Sequence, residues 1–149
     1  MLLQVFSSTQ FPTLTRLKKN LSTRMPHILD GIGVYMVASV IQNFDDQGRP
    51  EKWKENAPAT LAKKKGNLIL QESGLLKLGI TFEVDESENS VQIGPSGPSL
   101  AYAAIQKFGG QAGWNYSVTI PARDYLLFQE SDEAWINQFV RNEVFYAGN

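Results

Sequence analysis

Cysteine is absent from this sequence, and histidine occurs once, as His27. The first absence excludes disulfides and thiolate metal centres, and it fits a reducing compartment. The second leaves any zinc site short of nitrogen ligands, and His27 reads as a surface or capping residue. Net charge is also nearly missing: 14 Lys and Arg face 15 Asp and Glu, for −1 at pH 7, so no global field draws the chain to nucleic acid. No apolar run approaches the roughly 18 residues a membrane-spanning helix needs, and no membrane partner is expected. The opening MLLQVFSSTQFP has no positive residue ahead of its apolar start, so no secretory signal is expected.

Catalytic patterns are missing as well. There is no GxSxG, and the Gly/Pro loop at 94–99 is not followed by Gly-Lys-Ser/Thr as a phosphate loop would be. Asp45 and Asp46 stand in a turn whose spacing does not match an EF-hand. A Ser-His-Asp arrangement would have to use His27, which has nothing beside it to orient the ring. The carboxylates are scattered, with no pair in a setting that would shift a pKa usefully. The expectation is a non-enzymatic protein with no cofactor and no metal.

What is present is ordinary globular material: 149 residues, 42% hydrophobic and 19% charged. That supports one domain, 1–149, with a core that needs no cross-links. The stretch Ala101–Leu126 looks like the organising one. It reads as a helical or extended segment from Leu100 to Phe108 and a Gly109-Gly110 break. A flexible loop over Gln111–Asn115, a strand from Tyr116 to Ile120 and a stiff turn at Pro121 follow. Tyr102, Ile105 and Phe108 fall on one face at helical spacing.

Upstream, residues 1–12 show no assignable pattern, and residues 1–25 are read as an N-terminal helical extension. Leu14, Leu17 and Leu21 make an amphipathic helix over 13–21. Pro26 suits the first turn of a second helix, with Ile28, Ile32, Tyr35, Met36, Val40 and Phe44 as its stripe. Gly31 and Gly33 weaken that helix by about 1 kcal/mol each relative to alanine, and their smallness permits close approach of another element. Pro58 starts a short helix running through Lys65 to Gly66, and Ser73 caps another holding Leu75, Leu76 and Leu78. Leu68, Ile69 and Leu70 read as buried. Ile80, Phe82 and Val84 alternate with polar residues, as do Val91 and Ile93, which predicts an antiparallel hairpin. A closing helix begins near Ser131 as its cap, with Trp135, Ile136, Phe139, Val140 and Val144 as its stripe. Gly148 and Asn149 are expected to fray. Strands segregated from helices give an α+β class, with long helices on a small antiparallel sheet.

Two windows differ in charge. Over 49–65, six basic residues (Arg49, Lys52, Lys54, Lys63, Lys64, Lys65) face Glu51 and Glu55, a net of +4, with Trp53 the only aromatic. This window is either a positive patch for an acidic surface or nucleic acid, or a solvated loop anchored by Trp53. The hairpin tip is acidic, with Glu83, Asp85, Glu86 and Glu88. Opposed patches on a near-neutral chain suit head-to-tail self-association. Arg123, just past Pro121, is read either as an interface arginine or as a local partner of Asp124 or Glu130.

Seven segments in order carry a resemblance: ILDGIGVYMVASVIQNF (28–44), GRPEKW (48–53), PATLAKKK (58–65), LILQESGLLKLGIT (68–81), VQIGP (91–95), YAAIQKFGG (102–110) and IPARDYL (120–126). Together they resemble the phage virion morphogenesis family of Mu-type tail-completion proteins. Two departures stand out. Gln106 occupies a place where family members often carry histidine, and Trp53-Lys54-Glu55-Asn56 lacks the proline and leucine usual after the tryptophan. The resemblance implies a structural protein of a tailed phage or prophage, located in the virion at the neck or tail end and in the host cytoplasm during assembly. It implies action in tail completion or head–tail joining as one subunit of a homo-oligomeric ring, with hexamers the form of related neck and tail-terminus proteins. Other neck or tail proteins are the implied partners. The candidate interface residues are then Arg49, Lys52, Trp53, Lys63, Lys64, Lys65, Glu83, Asp85, Glu86, Glu88, Tyr102, Gln106 and Arg123. The alternative is a small nucleic-acid-binding module using the basic 49–65 window.

Overall fold

One helix crosses the whole molecule. In the computed structural model, which describes residues 12–62, 66, 68–71 and 73–146, α1 runs unbroken from Pro12 to Asp45. At 34 residues it is about 50 Å long. The expected pair of helices divided at Pro26 is therefore one helix with Pro26 inside it. An interior proline removes one backbone hydrogen bond and strains the preceding turn. Packing from the far end of the chain offsets that cost. The last helix, α5 (Glu130–Phe145), lies antiparallel along α1 on both sides of the proline. Asn20 Nδ2 donates to Val144 O (3.1 Å), the Arg24 guanidinium pairs with Glu143, and Ser39 Oγ donates to Asp132 Oδ1 (2.7 Å). Aromatic rings zip the two helices. Tyr35 stacks on Trp135 at 3.9 Å, and Trp135 stacks on Phe139 at 4.9 Å.

The two glycines of α1 are where its neighbours press in. A Cβ built on Gly31 would stand 2.6 Å from the Phe139 ring of α5, and one on Gly33 2.2 Å from the Phe82 ring. Phe82 belongs to β1 (Ile80–Asp85), which pairs antiparallel with β2 (Ser90–Pro95) in the register Phe82↔Ile93 and Val84↔Val91. The alternation read from the sequence thus forms the expected hairpin.

The core gathers at the C-terminal end of α1. Val40, Phe44, Leu76, Ile80, Ala103 and Tyr125 are buried together, with Trp53, Leu70, Ile93 and Leu126 against them. Phe44 is wholly buried; Trp53 meets it edge-on at 5.6 Å and Tyr125 lies at 5.4 Å. The organising element is therefore α1, and the 101–126 stretch packs onto it through Ala103 and Tyr125.

The short helices are shorter than read. α2 spans Pro58–Leu61 and α3 spans Leu75–Leu78, with Gly74 rather than Ser73 at its N-cap. Of the apolar residues around them only Ile69 and Leu76 are buried; Leu68, Leu75 and Leu78 are exposed. In the same way Leu14 and Leu21 of α1 face solvent, since α5 reaches back only to the turn of Asn20. α4 covers Leu100–Phe108, entered through a 3₁₀ turn at Gly97–Ser99. Ala103 is its buried residue, and Phe108 is exposed.

The loop expected at 111–115 is partly strand. β3 (Gly110–Ala112) pairs antiparallel with β4 (Val118–Ile120), and a 3₁₀ turn at Trp114–Tyr116 joins them. The expected strand start at Tyr116 moves to Val118 accordingly. The sheet is thus two separate two-stranded ribbons. Gly109, at φ +71°, makes the turn into the second: a Cβ there would stand 2.7 Å from Ala122 N. α5 starts two residues early, with Gln129 at its N-cap in a capping box with Asp132, in place of Ser131. The expected fraying at Gly148 and Asn149 lies outside the described residues, as does residues 1–11 of the expected N-terminal extension.

A candidate assembly surface

Four groups of polar or exposed side chains stand out, and two of them hold an inward-turned arginine. The first joins α1 to the start of α5. Asn43 (0% exposed), Asp132 (1%) and Ser39 (6%) sit at its centre. Asp132 Oδ1 accepts from Ser39 Oγ (2.7 Å) and Tyr35 Oη (3.2 Å), and Oδ2 accepts from Gln129 N (2.9 Å). Arg49 closes the group from the turn after α1. It donates to Asn43 Oδ1 (2.8 Å), Ser39 O (2.7 Å) and Ser39 Oγ (2.9 Å). Asn43 Nδ2 donates to Tyr125 O (2.9 Å), and Gln129 Nε2 donates to Asn43 Oδ1 (3.2 Å). Desolvation raises the Tyr35 phenol's pKa, with the Asp132 carboxylate adding to the effect. Polar groups this deep must be paired to be tolerated. This junction pairs them, and so holds α5 on α1.

The second group lines a cleft of about 380 Å³ between α4, β4 and the 54–57 segment. Tyr102 and Gln106 come from successive turns of α4, and Arg123 follows β4. Arg123 N donates to Gln106 O (3.0 Å), which ties the segment to the helix. The Arg123 side chain is 5% exposed. Its Nε and Nη2 donate to Lys54 O (3.2 and 3.1 Å), and Nη2 also to Asn56 Oδ1 (3.0 Å). Burial lowers its pKa, but an arginine remains a cation throughout the working range. Its acceptors are neutral oxygens, and it forms no ion pair among the described residues. The expected local partner Asp124 pairs with Lys107 instead. Asn56 Nδ2 and Tyr102 Oη are buried in the same cleft without hydrogen-bond partners among the described residues.

The third group is the hairpin tip. Asp85 is committed to the turn, accepting from Ser87 Oγ (2.6 Å), Ser87 N (2.9 Å) and Glu88 N (3.1 Å). The Ser87 hydroxyl and then the Glu88 amide hold its carboxyl below the usual range. Glu83, Glu86 and Glu88 are exposed and form no ion pair among the described residues. The fourth is the ribbon β3–β4. Trp114 is 87% exposed and Tyr116 75%, with Val118 and Phe108 exposed beside them.

The candidates from the sequence therefore separate. Tyr102, Gln106 and Arg123 come together in the cleft. Arg49 is directed inward at the junction. Lys52 donates to Asp46 O, and with Trp53 it lines a second cavity of about 420 Å³ that also touches Asn56. Lys63, Lys64 and Lys65 lie outside the described residues, and the acidic residues stand at the hairpin tip. Sequence reasoning missed Ser39, Asn43 and Tyr35. It saw Asn56 only as a departure from a pattern. A buried polar set drawn from residues 90 apart leaves no local signal. The exposed aromatics of the ribbon did carry one: three glycines and two aromatics within the eight residues 109–116.

The exposed aromatic ribbon lies beside the Arg123 cleft, whose lining includes Val118, Thr119 and Ile120 of β4. The phage virion morphogenesis family model matches residues 10–144, and the chain belongs to that family. It is also similar to the Mu-like prophage FluMu G protein 2 of Haemophilus influenzae (strain ATCC 51907 / DSM 11121 / KW20 / Rd). The two are 34% identical over 129 residues, which cover 87% of this chain and 84% of the relative. No solved structure matches the chain significantly. Family membership makes this a phage structural or assembly protein.

Proposed function

We propose that the protein is a non-enzymatic structural subunit acting in tail completion or head–tail joining, and that it works as a subunit of a ring, with neck or tail proteins as its further partners. The observation that carries this reading is the β3–β4 ribbon. A two-stranded ribbon alone is marginally stable in water, and this one displays Trp114 and Tyr116 almost fully to solvent. Aromatic side chains of this kind serve as anchors in protein interfaces. Val118, Thr119 and Ile120 of β4 also line the Arg123 cleft, so ribbon and cleft form one continuous surface. Membership of a virion morphogenesis family and similarity to a prophage protein support the assembly role.

Electron microscopy of lysates from the encoding phage with this gene deleted tests the reading. Filled heads beside separate or abnormal tails are expected. Normal infectious particles would remove it. Trp114→Ala combined with Tyr116→Ala should reproduce the deletion phenotype while leaving the purified chain folded, because neither ring is part of the core.

A further inference from the structure

The Arg123 cleft holds buried donors with no acceptor among the described residues. Arg123 is 5% exposed, and among the described residues its Nε and Nη2 are met only by the oxygens of Lys54 and Asn56. Asn56 gives its carbonyl oxygen to the arginine, and its Nδ2, like the Tyr102 hydroxyl, is buried without a partner among the described residues. A cation deep in a protein calls for a counter-charge, and buried donors call for acceptors. A carboxylate answers both, because it is acceptor-only, has two oxygens, and suits the planar fork of a guanidinium.

The same chain carries a carboxylate group shaped to enter such a cleft. The β1–β2 hairpin ends in a turn whose geometry is held by three hydrogen bonds to Asp85. Glu86 and Glu88 project from that turn, exposed and without an ion pair among the described residues. A pre-ordered tip loses little freedom on binding. Cleft and tip are unlike surfaces of one molecule, so joining them is a heterologous contact, which closes into a ring when the rotation permits.

We propose that the Arg123–Tyr102–Asn56 cleft is a carboxylate-binding site, and that its occupant is Glu86 or Glu88 from the hairpin tip of a second copy of this chain. The inference rests on the ring reading above and names the contact that builds it.

Two full-length variants test it by complementation. Glu86→Gln/Glu88→Gln keeps the cleft and loses the tip charge; Arg123→Gln keeps the tip and loses the receptor. Analytical ultracentrifugation of wild-type protein up to about 1 mM, within the affinity range of a single weak contact, should show self-association. Each variant alone should associate at least tenfold more weakly. An equimolar mixture should form a one-to-one pair and nothing larger, because each partner offers one functional surface. If Arg123→Gln fails to fold, Tyr102→Phe replaces it. That change removes a hydroxyl with no partner to lose, and it should weaken association about threefold to tenfold, the usual worth of one hydrogen bond.

Rings that form equally well from Glu86→Gln/Glu88→Gln would overturn the proposal and leave the ring reading standing. Wild-type protein that stays monomeric over the whole range would also overturn it. Sodium acetate is the probe for the cleft itself. Saturable shifts of the Arg123 side-chain N–H signal with acetate, absent with chloride at equal ionic strength, are expected. If acetate binds but the variants do not complement, the second-copy occupant is wrong and a carboxylate from another protein takes its place.

Discussion

Two arginines turn inward in this molecule, Arg49 partly buried and Arg123 buried, and their surroundings differ. Arg49 meets Asn43 and Ser39, and through Ser39 it reaches Asp132, so the α1–α5 junction closes on itself. Arg123 meets two neutral oxygens, beside donors without partners among the described residues. Among the described residues the first network is closed and the second is not. The contrast bears on how a fold-holding cation is told from one proposed to face a partner. The test is whether the polar groups around it are satisfied within the chain, and burial alone does not decide it.

Breaking the finished network should cost most. Asp132→Ala strips the acceptor from Ser39, Tyr35 and the Gln129 amide at once. We expect a loss of about 3–5 kcal/mol, as for a buried charged group losing its partners. For a chain of this size that is a fall of about 10 °C in Tm, read by thermal or urea unfolding. A loss under about 1 kcal/mol would mean that the junction does not hold α5 in place.

Overpacking the other face of α1 comes next. In Gly33→Ala the new Cβ meets the Phe82 ring, which must shift. The expected loss is about 1–3 kcal/mol. Combining it with Phe82→Leu should recover part of that, so the coupling in a double-mutant cycle is the diagnostic.

The pH response is a third, milder test. Burial, helped by the neighbouring Asp124 carboxylate, pushes the Tyr125 phenol up to about 12 from an ordinary value near 10. Its folded-state pKa is raised, so the stability it supports is fully present below pH 10. That stability should drain away as pH rises from about 10 to about 12, where the unfolded chain sheds the proton first. Tyr125→Phe should flatten this alkaline decline, at the expense of the hydrogen bond to Ala103 O (3.1 Å).

The smallest effect expected is in the cleft. Tyr102→Phe should change folding stability by no more than about 0.5 kcal/mol, because the hydroxyl has no partner among the described residues. A large loss there would show that the cleft is as finished as the junction, and the contrast between the two arginines would collapse.

These contrasts also mark what was legible in the sequence. The β1–β2 hairpin was, because period-two alternation over Ile80–Val84 has one reading. The stripe of the closing helix was too. Pro26 misled because its effect is local, whereas the reason α1 continues lies more than a hundred residues away, in Glu143 and Val144. The β3–β4 ribbon has three residues per strand, too few for alternation to show. Arg123 was marked as a candidate, yet both readings offered for it assumed an exposed side chain. Its true partners, Lys54 O and Asn56, are almost seventy residues distant. Arg49 was counted in a positive patch and turns inward. Composition counts charges but does not aim them. The resemblance, by contrast, was readable from ordered segments, since it needed no geometry.

The most direct test of the account is complementation of the gene-deleted phage with Arg123→Gln, alongside circular dichroism and thermal unfolding of the same purified variant. The prediction is a chain that still melts cooperatively but restores few infectious particles, with filled heads and tails left unjoined in micrographs. A folded Arg123→Gln protein that restores wild-type titres and joined particles would contradict the claim that this cleft is the surface the virion uses.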